Sequence, residues 1–312
     1  MPAFNAIKFP ENQVFPARAW PTLSGNQMRL PANNRERVFW TLNTLLLVAF
    51  LLELAAPWSV AWLDTAALTL AALAALVAMN RQLPLQNVLT VAFITAAVGV
   101  AVHGFSARTA IPLGPIAFDF PMSQAASFLN RKTEITLNPV IYDNYGKSLI
   151  FYTVPWLIPA LWVMAIFTAR GVGRLILRPW RKVKTYGYWL IALTAVLTVA
   201  FDLALEPYAV EFKHLWHWQH TRLEISWHGA TPINFMGWGC AALLVLMFAT
   251  PSLIRKQPGS LGGSDYYPLW VWLGALTVFA AGSFSAGLWW SVALDAVIAG
   301  MTTCLAVRGA KW

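Results

Sequence analysis

The sequence predicts an all-α, polytopic membrane bundle of about eight transmembrane helices. Three observations lead there. Hydrophobic residues make up 58% of 312 and charged residues only 11%, with a mean hydropathy of +0.56, outside the range of soluble domains. Seventeen Trp and eighteen Phe suit the membrane interface and greasy pockets. The apolar runs are about twenty residues long and do not alternate, so they read as helices rather than barrel strands.

The spans are expected at 38–56, 59–79, 86–104, 149–169, 187–206, 232–250, 268–285 and 288–307. Residues 1–36 are polar and broken by proline, with no signal-peptide core. They read as a cytoplasmic N-terminal extension at the membrane surface, followed by a single transmembrane domain over 37–312. With both termini on one side, that side collects sixteen of the 22 Lys and Arg residues, so the termini are expected in the cytoplasm of a bacterial cell. The net charge of +9 is then a topology signal that also touches anionic lipid, and no nucleic-acid partner is expected. Two non-cytoplasmic loops, 105–148 and 207–231, are long and aromatic and are expected to be ordered over the outer end of the bundle. Cys240 and Cys304 form no disulfide or metal spacing and read as small buried hydrophobes.

The organising stretch runs from Gly187 to Thr250. Asp202 and Glu206 are four apart, so they share one helix face, and Pro207 is expected to stop the helix there. Pro155 and Pro159 in the fourth span predict a kink bordering a cavity. Five of the thirteen acids fall within the spans: Glu53, Asp64, Asp202, Glu206 and Asp295. No Lys or Arg lies well inside a span to pair with them, and charge at that depth is costly and tends to be functional. Glu53, Asp64, His103, Asp202 and Glu206 converge on the outer third of the membrane, with Asp295 two turns deep. Each has a plainer reading beside the functional one. Glu53 and Glu206 reach interfacial water, Asp64 caps a helix, and His103 is a hydrogen-bonded buried histidine. His214, His217 and His220 recur every third residue, yet no Glu-x-x-His partner stands near, and no metal site is assigned. Trp216 and Trp218 would not share a helix face, which points to extended or irregular backbone.

Several tracts are familiar. The Asp202–Pro207 end, Trp216-x-Trp218, and Pro232-Ile-Asn234-Phe-Met-Gly237-Trp238 resemble the signature of CruF-type carotenoid biosynthesis proteins. So do Tyr152-Thr-Val-Pro155-Trp156-Leu-Ile-Pro159-Ala-Leu-Trp162 and Thr109-Ala-Ile-Pro112-Leu-Gly114. The likeness covers roughly residues 95–250. Glu206 stands where that family often has Asp, and His103 where it often has Gly or Glu. The resemblance implies a carotenoid hydratase, a hydro-lyase that adds water across the terminal double bond of an acyclic isoprenoid end such as that of lycopene or gamma-carotene. No cofactor is implied. A carboxylic acid can protonate an isolated alkene to a tertiary cation, which water captures and aromatic faces stabilise. The expected catalytic group is Asp202 as acid, Glu206 as partner or base and Asn234 as the water-positioning amide. Trp216, Trp218, Trp238, Trp156 and Tyr152 are expected to line the end-group pocket. Asp64, Asp295, His103 and Glu53 are second-line candidates. Expected partners are the carotenoid, membrane lipid and other enzymes of the pathway. The alternatives are a lycopene-type cyclase, whose cation is trapped by a neighbouring alkene, or a non-catalytic pigment-binding membrane subunit. A proton-coupled transporter is opposed by the single level of the acids.

Overall fold

A computed structural model describes residues 32–55, 61–118, 154–155, 157–219, 225–253 and 264–312, with side chains omitted at 32–33, 53–55 and 61–65. Among these residues the chain forms eight α-helices. They are α1 (Ala32–Ala55), α2 (Ala61–Asn80), α3 (Leu85–Thr109), α4 (Leu157–Ile176), α5 (Tyr186–Pro207), α6 (Pro232–Leu253), α7 (Tyr267–Ser285) and α8 (Trp289–Ala310). Helices α3 to α8 are each long and apolar enough to cross a membrane, α5 together with the turn that follows it. In α2, Ala66–Asn80 is a shorter apolar stretch, and α1 opens on the charged run Arg35-Glu36-Arg37. This is an all-α membrane bundle and an integral membrane protein.

Helix α4 is the hub. It is buried on every side by its neighbours, and Leu161 to Gly173 form an unbroken buried run. It contacts α2, α3, α5, α7 and α8. The outer helices invert the pattern of a soluble protein and turn Phe93, Val196, Met247, Phe248 and Met301 outward, which suits a lipid surround. Cys240 and Cys304 are also exposed. That corrects their reading as buried hydrophobes: in a bundle bathed in lipid, an apolar run has no need to bury every apolar side chain.

Two other expectations are corrected here. The fourth span starts at Leu157 rather than 149 and is not kinked by its prolines: Pro155 precedes it and Pro159 sits in its first turn, where a missing N–H has no carbonyl to serve. The helix accordingly runs on to Ile176 and takes in Arg170 and Arg174. Cations therefore do lie within a span, Arg170 buried and donating from Nη2 to Leu253 O at 3.0 Å.

A two-stranded ribbon closes the end of the bundle where α3 and α5 finish. Strands β1 (Ile116–Phe118) and β2 (Trp216–Trp218) pair antiparallel, Ile116 opposite Trp218 and Phe118 opposite Trp216. The described parts of the two long loops are thus tied together over that end.

Candidate active site

Helix α5 carries Asp202 and Glu206 to the ribbon end on its inward face. The α-helix ends at Pro207, where a stop was expected, but the backbone does not leave the helical path there: it leads directly into a π-helical turn, Tyr208–Phe212. The reason is local. A proline cannot donate to the carbonyl four residues back, here Leu203 O, and that carbonyl instead accepts the indole N–H of Trp227 at 3.0 Å. With the orphaned carbonyl satisfied from outside, the backbone continues in a wider turn, Lys213 N–H reaching back five residues to Tyr208 O at 2.9 Å. The wide turn swings the chain into β2. Side chains two apart in a strand share a face, so Trp216 and Trp218 both point back at α5.

Both indoles donate to one carboxylate oxygen, Glu206 Oε2, Trp218 at 3.0 Å and Trp216 at 3.3 Å. Asn234, in the first turn of α6, supplies the third donor and joins the two acids. Its Nδ2 lies 2.7 Å from Asp202 Oδ2 and 3.2 Å from Glu206 Oε1. Asp202 is 0% exposed, Glu206 and Asn234 1% each. Among the described residues Asp202 Oδ1 and Asn234 Oδ1 are buried and have no hydrogen-bond partner. Buried polar atoms are almost always satisfied, so these two mark where a further polar group would be held. Among the described residues no cation pairs with either acid.

The rest of the motif around Asn234 has packing reasons. A Cβ on Gly237 would lie 2.7 Å from Pro112 O, so only glycine lets α6 approach the turn after α3. Gly114 in that turn has φ +105°, and a side chain there would meet the Trp218 ring at 3.5 Å. Trp238 stacks on Trp162 of α4, centroids 4.2 Å apart and planes 8° apart. His103 of α3 stands edge-on to both rings at 6.0 Å. Its Nδ1 is 3.0 Å from Gly99 O and 3.3 Å from Trp162 Nε1. One nitrogen cannot donate to the carbonyl and accept from the indole at once, so these contacts belong to alternative tautomers.

A family model for "Carotenoid biosynthesis protein" matches residues 139–302, more than half of the chain. The chain belongs to the carotenoid biosynthesis protein family. It has a role in carotenoid biosynthesis. No curated protein and no solved structure matches it. Within this carotenoid biosynthesis protein the matched stretch takes in α4 to α7 and most of α8, and with them Asp202, Glu206, Asn234, both ribbon tryptophans and Asp295; α1 to α3, with His103, precede it.

The structure therefore brings together Asp202, Glu206, Asn234, Trp216 and Trp218. Trp238 joins a separate aromatic layer one turn further along α6, with His103 and Trp162. Asp295 is buried, both its oxygens without a partner among the described residues, and makes no hydrogen bond to the pair. Glu53 and Asp64 fall in α1 and α2, but their side chains lie outside the described residues, as do Tyr152, Trp156 and His220. His214 is exposed and turns back onto Val210 O at 2.9 Å, and His217 points out of the ribbon away from its tryptophans. Among the described residues no group of three or more His, Cys, Asp or Glu is arranged to hold a metal ion. A partly open apolar pocket with a cavity volume of about 50 Å³ lies between α1, α2, α4 and α7, lined by Phe50, Leu68, Met164, Tyr208, Leu215 and Phe279 among others. Tyr208 follows Glu206 by two residues and Leu215 immediately precedes Trp216.

Sequence reasoning missed Trp227, His228, Glu211 and Ser291. Only Trp227 had a signal: Pro207 implies a free carbonyl at Leu203, and a free carbonyl needs a donor.

Proposed function

We propose that this protein hydrates the terminal double bond of an acyclic carotenoid end group, of the lycopene or gamma-carotene type. The observation that supports this most is the asymmetry of the acid pair. Three N–H donors converge on Glu206, which matches an acceptor-only carboxylate. Asp202 receives one, and its Oδ1 is free to carry a proton toward a substrate. On this reading Asp202 gives that proton to the terminal alkene and the π electrons form the new C–H bond, leaving a tertiary cation. Water, held between Asn234 Oδ1 and Glu206, adds its oxygen to the cation and surrenders a proton to the pair, which restores Asp202. The net change is one water added, with no electron gained or lost.

The indole faces of Trp216 and Trp218 stabilise the cation, by about 2 kcal/mol when desolvated. The partly open apolar pocket beside the π turn offers an apolar wall to the polyene, which arrives from the lipid after the desaturating enzymes of the pathway have made it. Both termini lie in the cytoplasm of a bacterial cell on this reading, because the basic residues gather on that side. The acid pair then serves the opposite leaflet of the cytoplasmic membrane.

The test is pigment extraction from a host that makes only lycopene. Cells carrying this chain gain a product heavier by one water; cells carrying Asp202→Asn, accumulated to the same level, do not. A new product of unchanged mass makes the protein a cyclase instead. Unaltered lycopene with the wild-type chain removes the enzymatic reading.

A further inference from the structure

A second set of titratable groups lies apart from the acid pair. Glu211 Oε1, on the π turn, is 3.3 Å from His228 Nδ1, and His228 Nε2 is 3.0 Å from Ser291 Oγ in the first turn of α8. One helical turn further along α8 stands Asp295. Exposure falls steeply along this series. The Glu211 side chain is 45% exposed and that of His228 17%, whereas Ser291 and Asp295 are each 1% exposed. Among the described residues neither oxygen of Asp295 has a hydrogen-bond partner. The side chains thus form a line from the surface toward a buried carboxyl that no described residue hydrogen-bonds.

The backbone is arranged to hold the histidine in that line. Trp227 and Ala230 exchange two backbone hydrogen bonds, 2.8 and 3.0 Å, around a tight turn with His228 at φ 49° and Gly229 at φ 85°. Left-handed backbone costs a non-glycine residue about 1 kcal/mol, so His228 occupies its place for its ring. Trp227 packs edge-on to that ring at 4.8 Å, and its own N–H is fixed on Leu203 O.

Carboxylate, imidazole and serine in this order are also the parts of an activated nucleophile, but that reading fails on geometry. Ser291 is closed off from solvent, and the amides of Trp289, Ser291 and Val292 are spent on Gly287 O and Leu288 O. Those three amides are therefore not available to hold an oxyanion.

We propose that Glu211, His228 and Ser291 form a proton route from the surface to Asp295, a second acid site separate from Asp202 and Glu206. A proton entering at Glu211 passes to His228 Nδ1, the Nε2 proton passes to Ser291 Oγ, and the serine proton passes to an Asp295 oxygen. One proton enters and one arrives; the ring then exchanges tautomers. The last step is short, because residues four apart on a helix have Cβ atoms about 5–6 Å apart, a gap that rotation of the Asp295 side chain closes. The route stands whether or not the acid pair hydrates an alkene.

Infrared spectroscopy of the full chain in lipid nanodiscs tests it directly. The carboxylic acid C=O band of Asp295, identified by its loss in Asp295→Asn, shifts when the sample is moved into D2O, and the rate of that shift reports proton delivery. Ser291→Ala slows the shift by about 10²-fold, and Ser291→Thr, which keeps a hydroxyl, restores it. Glu211→Gln and His228→Gln slow it as well and carry the test if Ser291→Ala does not fold. A rate unchanged or faster in the folded variants overturns the route, as does a spectrum with no Asp295-dependent acid band.

Discussion

The two ends of the bundle settle buried charge in opposite ways. At the ribbon end, Asp202 and Glu206 meet only neutral donors among the described residues, one amide and two indoles. At the other end, guanidinium groups meet mostly neutral acceptors. Arg170 donates to Leu253 O, where α6 finishes, Arg174 to the Gln82 side chain and Arg178 to Ser264 Oγ. Arg81 pairs with Asp265 at 3.5 Å. Asp202 lies sixteen residues beyond the start of α5 at Tyr186, roughly 24 Å along the helix, so the acids and the arginines of α4 cannot neutralise one another. A buried salt bridge would fix the carboxyls in their ionised form. Neutral donors leave a carboxyl able to hold or release a proton. On the hydration reading proposed above, the arginine end serves cohesion and the ribbon end proton transfer, and substitutions should separate the two.

The largest effect is expected from Asn234→Leu, which removes the one group that binds both acids. Product formation in the lycopene host should fall about 10²–10³-fold, the usual cost of losing a preorganised donor. A loss below tenfold would mean the amide does not organise the pair. At the opposite end Arg170→Met leaves Leu253 O without its charged donor, at a cost of about 2 kcal/mol of stability. Thermal unfolding in detergent should show the loss, while the rate per folded molecule stays at the wild-type value. Gly237→Ala forces a Cβ against Pro112 O and should cost about 1–2 kcal/mol. Because Asn234 rides on the same turn of α6, this substitution should lower both unfolding temperature and product yield, blurring the contrast between the ends. The smallest effect belongs to Trp218→Phe, which keeps the ring but loses one bond to Glu206. It should cost about 1 kcal/mol, seen as a several-fold drop in product with Trp216 still in place.

Much of this could be read from the chain before any coordinates. The helices follow from apolar runs of the right length, and the Asp202–Glu206 pair from a spacing of four. Extended backbone at Trp216 and Trp218 followed from their spacing of two. What misled was proline. Pro207 does end the α-helix, yet Trp227, twenty residues later, supplies the donor that lets the backbone go on as a π turn. Pro155 and Pro159 predicted a kink and proved to be the entry of α4, which moved Arg170 into the span. His228 carried no signal at all, since its partners stand 17 residues before it and 63 after it.

The residues alone determine that this chain lives in lipid as helices and that two acids share a face of one of them. Those outcomes rest on interactions within a few positions, where backbone groups without water must bond to near neighbours. Which donors meet those acids, and that a second carboxyl lies at the end of a line of polar groups, only the tertiary structure decides. The bonds concerned join residues 10, 12, 28, 32 and 63 apart, and such distances close only when the helices have packed.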